Sequence, residues 1–255
     1  MVAALAVTPR YTDVANSTGS SSRAEILARY RQLRVVGRAQ HSAMMKLVSG
    51  PHMFKQARRL GLIQGKTFVL DSLGDMNFVF DLLLYTSSLD RPRAADRYAR
   101  SVQLAPGSDE AIMLQAKLNS RFAILECKRR HNVVGLVMED VVRQVEYHLV
   151  DEGLEVSLRE GARIATRIAM VEDLVMALGV FVPVEGHFLR RVYDSIPQLQ
   201  RKNAAAIVDD RRFAEAIYRN AILDGLTAHI AYREPDEPAL DALLRLRGEG
   251  AGIAA

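Results

Sequence analysis

The stretch of residues 121–184 constrains the fold most, because there the sequence pattern changes from helical to β-like. It is rich in Val, Ile and Leu and is broken by short turn signals, His131-Asn132 and Glu172-Asp173, a pattern typical of strands and hairpins. The link from Asp151 to Gly161 is predicted as a longer loop. Five such runs in about 60 residues predict a small antiparallel module, either a partly closed barrel or a strongly bent sheet. The predicted strands are Phe122–Lys128, Val133–Met138, Val145–Val150, Arg163–Met170 and Leu174–Val182.

Helical patterns precede this module. Apolar residues recur at helical spacing between residues 23 and 60, and Gly50-Pro51 breaks that run because proline cannot continue a helix. Asp71 or Ser72 is predicted to cap a helix that runs to about Tyr85. This helix is apolar on nearly every side, so we expect it to be buried.

The chain is therefore predicted to have an α+β fold in which helices on both sides pack on the β module as one unit. After the module, one helix is predicted from His187 to about Arg201 with an interruption at Pro197, and another begins at Asn203 or Asp209. The predicted parts are a disordered tail (1–22), a helical N-terminal part (23–120), the β-rich module (121–184), C-terminal helices (185–234), and a linker, short helix (Ala239–Leu246) and flexible tail (235–255).

Positive charge is concentrated near the N-terminus. Between Arg23 and Lys66 there are ten Lys or Arg residues and one acid, Glu25, so this segment has a formal charge of 10 − 1 = +9 in a chain of +4. Such asymmetry favours anionic partners. On a helical wheel, five basic side chains fall on one face beside the apolar stripe. They are Arg23, Arg31, Arg34, Arg38 and His41.

This basic face has two interpretations. It could contact the phosphates of RNA or DNA, for which guanidinium groups are well suited, or it could be a solvated face that docks on the acidic remainder of the chain. A second basic cluster, Lys128, Arg129 and Arg130, lies at a predicted strand end. It could be a nucleic-acid loop, or it could protect a sheet edge by charge.

The sequence predicts no catalytic, metal or cofactor site. Asp71 and Asp75 lie one helical turn apart, but we interpret them, with Asp81, as capping and ion-pairing residues. The six histidines show no His-x-x-x-His spacing, and the single cysteine, Cys127, is expected to be a buried, inert thiol. No glycine-rich phosphate loop and no nucleophile elbow occurs.

Several short phrases, in order from about Arg29 to Val184, resemble a family of uncharacterised bacterial proteins with no assigned function. They are Arg29–Arg34, Ala57–Gly61, Val69–Ser72, Asp75-Met76, Arg97-Tyr98, Pro106–Glu110, Leu149–Leu154 and Ile164–Arg167. Some relatives are linked to a zinc motif of the SEC-C type, which this chain lacks because it has one cysteine. The resemblance implies a shared fold of helices with a β-rich module and implies no activity.

We expect a non-enzymatic cytoplasmic binding protein whose basic N-terminal helix contacts an anionic partner such as RNA or DNA. One alternative is a protein–protein adaptor or homo-oligomeric scaffold that uses the same helix on an acidic protein surface. Another is an enzyme whose site is assembled from dispersed residues. No membrane partner is expected, because no apolar run reaches the length of about 18 residues that spans a bilayer. A single cysteine fits a reducing compartment.

Overall fold

The computed structural model describes residues 21–72, 74–86 and 92–226. The predicted tail up to residue 20 and the helix predicted at Ala239–Leu246 lie outside this part. The N-terminal elements are α1 (Arg23–Met45), α2 (Gly50–Leu60), a small hairpin of β1 (Ile63–Gln64) and β2 (Thr67–Phe68), α3 (Gly74–Tyr85), α4 (Ala94–Ser101) and α5 (Asp109–Leu118).

The ends of these helices follow from local chemistry. Ser22 and Glu25 form a capping box at the start of α1, in which each side chain accepts a hydrogen bond from the other residue's backbone N–H. The predicted break at Gly50-Pro51 separates α1 from α2, and the proline lies in the first turn of α2, where its missing N–H costs no helical bond. Gly61 then ends α2 in the left-handed conformation, with a φ of 87°.

The start of α3 differs from the prediction. Asp71 or Ser72 was expected to cap this helix with its side chain, but α3 begins at Gly74. The hydrogen bonds run the other way, because one carboxylate oxygen of Asp75 accepts the backbone N–H groups of Asp71 at 2.9 Å and Ser72 at 3.1 Å. The carboxylate inside the helix therefore organises the loop before it.

The β-rich module is a closed barrel of five strands, which confirms the predicted α+β fold. Its strands are β3 (Arg121–Arg130), β4 (Leu136–Asp140), β5 (Val145–Leu149), β6 (Arg163–Val171) and β7 (Leu174–Pro183), and they are arranged in the order β3-β4-β5-β7-β6. The pairings are antiparallel except for the parallel pair of β5 and β7, where Leu149 lies beside Val175. The prediction of purely antiparallel pairing is therefore wrong at this one contact.

Two local features explain the differences in the barrel. The strand predicted from Val133 starts later, because His131–Gly135 forms the turn, in which Gly135 has a φ of 79° and its carbonyl oxygen accepts the N–H of His131 at 3.0 Å. The loop predicted between Asp151 and Gly161 contains α6 (Glu152–Ser157). This connection places β6 beyond β7 in the strand order, so that β7 returns parallel to β5.

The last described elements are α7 (Gly186–Asp194), a 3-10 turn (Pro197–Leu199), α8 (Ala204–Val208) and α9 (Arg211–Leu223). Asn203 caps α8, as one of the two predicted starts, but Asp210 and not Asp209 caps α9. Within the described ranges, the model contains no helix that is both long enough and apolar enough to cross a membrane.

Helices and barrel strands contribute to a shared cluster of buried apolar residues. The predicted burial of α3 is confirmed, since its apolar side chains pack with α9 and with β6 and β7 of the barrel. A buried ion pair also joins barrel to helices: Arg167 on β6 donates to Asp81 on α3 at 2.9 and 3.0 Å, and the Tyr218 hydroxyl of α9 donates to the same carboxylate at 2.9 Å. Their mutual pairing satisfies charges that burial would otherwise make costly.

Candidate functional site

The predicted basic face of α1 lies against the acids of the Asp151–Ser157 segment. Arg23 pairs with Glu155 at 2.8 Å, and Arg31 pairs with Glu152 at 2.6 Å. Arg34 donates to the carbonyl oxygen of Ala177 at 2.9 Å and lies 3.8 Å from Asp151. These three arginines therefore already have partners within the same chain.

The other two residues of the predicted face do not extend it. His41 is half-buried, and burial, helped by the nearby Lys117 ammonium, lowers the pKa of His41 to about 4. Its imidazole is therefore neutral at neutral pH and adds no charge. Arg38 is exposed and forms no hydrogen bond or ion pair within the described ranges.

The second basic cluster meets the first at α6. Lys128 pairs with Glu126 at 3.1 Å and with Glu139 at 3.0 Å. Arg130 donates to the backbone carbonyl oxygen of Glu155, whose carboxylate binds Arg23. Arg129 pairs with Val137 of β4 through its backbone, but its side chain is exposed and has no hydrogen-bond partner in the described part. Acids and bases thus alternate where the two clusters converge.

A different site, which sequence reasoning did not find, is a cleft between α2, α3, α4 and α9. We call it the Arg97–Arg211 cleft. It has a cavity volume of about 50 Å³, room for a few water molecules or a small head group. Its lining residues are Val48, His52, Gln56, Leu82, Leu83, Thr86, Pro92, Arg97, Arg211 and Glu215.

Among the described residues, two guanidinium groups in this cleft have no acid as an ion-pair partner. Arg97 projects from α4 and Arg211 is the first residue of α9, and neither forms an ion pair or hydrogen bond through its side chain in the part of the chain that the structure describes. The Nε atom of Arg97 is buried without an acceptor. A buried donor left unpaired costs about 1–3 kcal/mol, and such a donor at a cleft calls for a ligand or water that accepts from it.

The acids adjacent in sequence to these arginines are paired with other cations. Asp96, the neighbour of Arg97, accepts two hydrogen bonds from Arg93, at 2.7 and 2.9 Å, and the Arg93 guanidinium lowers the pKa of this carboxyl. The acids that precede Arg211 are likewise held by other cations: Asp209 by Arg143 at 2.5 Å, and Asp210 by Arg212 and Lys202, both at 2.8 Å.

Glu215 lines the cleft itself, but it too is occupied. Arg59 binds its carboxylate at 2.8 and 3.0 Å, and the side-chain amide of Gln56 approaches it at 3.5 Å. This acid is therefore matched by a cation of its own and does not neutralise the two unpaired guanidinium groups.

The rest of the cleft adds a hydroxyl donor and an apolar wall. The Thr86 oxygen accepts a hydrogen bond from the buried Arg167 at 3.3 Å, so its own proton remains available to donate to a ligand. His52 lies on the α2 side, with its Nδ1 atom 2.6 Å from the Ser49 hydroxyl. The apolar lining consists of Val48, Leu82, Leu83 and Pro92.

The residues considered for catalysis do not assemble in this cleft. Cys127 is buried in the barrel, and burial raises the pKa of its thiol. Asp75 organises the loop before α3 and Asp81 binds Arg167, which agrees with their interpretation as structural acids. In the described residues, no three or more His, Cys, Asp and Glu side chains are grouped so that they could hold a metal ion.

A model of a family of unknown function, DUF7986, matches residues 24–226. This range includes the barrel, the basic face of α1 except Arg23, the second basic cluster and the Arg97–Arg211 cleft, and the match confirms the resemblance to a family with no assigned function. No curated protein matches the chain, and no solved structure does.

Proposed function

We propose that the chain, which belongs to the DUF7986 family, is a non-enzymatic binding protein that holds an anionic ligand in the Arg97–Arg211 cleft. The observation that carries this proposal is a pair of guanidinium groups at one cleft that have no ion-pair partner among the described residues, one of them with a buried and unpaired Nε atom. A guanidinium cannot lose its charge by deprotonation in a protein. An anion from outside is therefore the natural partner.

The proposal keeps the anionic partner expected from the sequence but moves its site. On α1, a phosphate would have to displace Glu155 from Arg23 and Glu152 from Arg31. In the cleft, among the described residues, no carboxylate is paired with Arg97 or Arg211, and Glu215 already has Arg59 as its partner. Binding an anion there therefore costs less than on the paired arginines of α1. We also propose a cytoplasmic location, on the basis of the single, buried cysteine.

The test is a thermal-shift series with small anions at low ionic strength. A ligand that binds the folded state raises the melting temperature, so phosphate, sulfate and acetate salts should stabilise the protein beyond matched chloride. The double variant Arg97→Gln/Arg211→Gln should lose this response. Arg38→Gln removes an exposed arginine that has no partner among the described residues, and this variant should keep the response.

Two outcomes would overturn the proposal. One is the absence of any anion-specific stabilisation in the wild type. The other is tight binding of RNA or DNA that Arg38→Glu/Arg129→Glu weakens and the cleft variant does not, because that would place the anionic partner on the basic helix and hairpin. Polyanion binding of that kind would also fall steeply with added salt.

A further inference from the structure

We infer that the anion held by the Arg97–Arg211 cleft is the dianionic phosphoryl group of a phosphate monoester; this inference rests on the proposed function. Three features of the cleft indicate a phosphate monoester: its charge, the geometry of its donors, and the size and polarity of its walls.

Charge is the first feature. Arg97 and Arg211 contribute two positive charges, while Arg59 and Glu215 offset one another. A carboxylate would neutralise one guanidinium and leave the other with its charge uncompensated. A phosphate monoester has a charge of about −1.5 to −2 near neutral pH, so it matches both.

Donor geometry is the second feature. Each guanidinium presents a rigid fork of N–H donors that pairs with two oxygens of a phosphoryl group. The Nε–H of Arg97 is buried and lacks an acceptor, and the Thr86 hydroxyl can donate as a third contact because its oxygen already accepts from Arg167. The side chains of Arg97, Arg211 and Thr86 can thus donate to the three terminal oxygens of a phosphate monoester.

Size and polarity of the walls are the third feature. A cavity of about 50 Å³ has room for a phosphoryl group. The apolar side chains of Val48, Leu83 and Pro92 line the same cleft and can contact the group that is esterified to the phosphate. An ester with an apolar or aromatic group next to the phosphate fits this arrangement, because both parts find a matching surface.

The test compares three probes of similar body: phenyl phosphate, phenyl sulfate and benzoate. At a pH of about 7.5 the phosphate is a dianion, since its second pKa is about 6, whereas the other two are monoanions. Isothermal titration should show phenyl phosphate binding at least about tenfold more tightly than either. Arg211→Gln should reduce this advantage, and Arg38→Gln should leave it unchanged.

Acidification provides the second arm. Below a pH of about 6 phenyl phosphate becomes a monoanion, so its advantage over phenyl sulfate should shrink towards equality. Among the described residues, the charged or titratable groups that line the cleft or pair with its lining are Arg97, Arg211, Arg59, Glu215, His52 and Arg167, the last of which is itself paired with Asp81. A change in their protonation acts on phenyl sulfate as well, so the ratio of the two affinities isolates the charge of the probe.

The outcomes separate this inference from the proposed function. If benzoate or phenyl sulfate binds as tightly as phenyl phosphate, or if the advantage of phenyl phosphate persists at acidic pH, the phosphoryl assignment is wrong while anion binding stands. If none of the three binds, both fail. The binding data for Arg97→Gln are interpreted only if this variant unfolds as cooperatively as the wild type. Arg211→Gln changes the first residue of α9 and repeats the test without altering the buried Nε atom of Arg97.

Discussion

Lys117 should make the protein more stable as the pH rises, and replacing it should remove this dependence. Its side chain is 2% exposed, and its ammonium donates to the carbonyl oxygen of Gly37 at 2.5 Å. Burial, with a smaller contribution from the charge of Arg34, lowers the pKa of Lys117 from 10.5 to about 7. The folded protein therefore gives up this proton more readily than the unfolded chain does.

The sign and size of the effect follow from that difference. Between a pH of about 7 and 10.5 the unfolded chain keeps the Lys117 proton and the folded state does not, so the free energy of unfolding rises with pH. Each pKa unit corresponds to about 1.4 kcal/mol. The lowered pKa of about 7 against 10.5 thus amounts to a penalty of about 5 kcal/mol, fully present below pH 7 and absent above pH 10.5.

Lys117→Met keeps a long side chain and removes the titration. The variant loses the hydrogen bond to Gly37, worth about 1 kcal/mol, but escapes the penalty of a buried charge. It should therefore be more stable than the wild type at a pH of about 6 and lose this advantage by about 1.4 kcal/mol per pH unit on the way to a pH of about 9.5. Other groups titrate in both proteins, so the quantity to compare is the difference between their free energies of unfolding at each pH.

Urea unfolding at several pH values measures this difference. Lys66→Met, at an exposed position, is the matched control and should follow the wild type at every pH. A difference between Lys117→Met and the wild type that stays constant with pH would refute the reasoning, because it would mean that Lys117 stays charged in the folded protein.

Two further substitutions test the barrel and its junction with the helices. Asp81→Asn leaves the Arg167 guanidinium buried without its carboxylate, so urea unfolding should show a loss of about 3–5 kcal/mol; a loss below about 1 kcal/mol would contradict the assigned pair. Gly135→Ala should lower the melting temperature sharply, because its Cβ would lie 2.3 Å from the carbonyl oxygen of Leu149 at a φ of 79°. Gly186→Ala, where a Cβ meets nothing within 4 Å, should not lower it, and equal effects of the two alanines would contradict the turn geometry.

The secondary structure could be predicted largely from local pattern, whereas the pairing of strands could not. The five strands and the helices beside them show in the spacing of apolar residues. The parallel pair of β5 and β7 depends on the path through α6, which was predicted as loop. A signal for α6 was present: Asp151 accepts the N–H groups of Gly153 and Leu154 as an N-cap, and Glu152 and Glu155 occupy the first turn.

Of the predicted basic face, Arg23, Arg31 and Arg34 meet one acidic segment, and the sequence could not identify these partners. The acids that bind Arg23 and Arg31 are more than one hundred residues away in the sequence, and helical spacing indicates which side chains point together without indicating what they meet. The position of those acids becomes visible only when the barrel closes.

The Arg97–Arg211 cleft has no sequence signature for a similar reason. Each arginine stands next to an acid, Asp96 or Asp210, and would be interpreted as paired with it. Both acids are held by other cations, Arg93 and Arg212. Within the part of the chain that the structure describes, Arg97 and Arg211 are unpaired because these acids bind other cations. Which ion pairs form is decided by the folded chain and does not show in the sequence.

The most direct test of anion binding in the cleft follows the side-chain Nε–H resonance of Arg97 by NMR, assigned by its loss in Arg97→Gln. The account predicts that phenyl phosphate shifts this resonance in a saturable way, because the unpaired Nε–H gains an acceptor, while the Nε–H resonance of Arg38 does not move. A resonance of Arg97 that stays in place when the protein is titrated with phenyl phosphate, sulfate and acetate would contradict the claim that this cleft binds an anion.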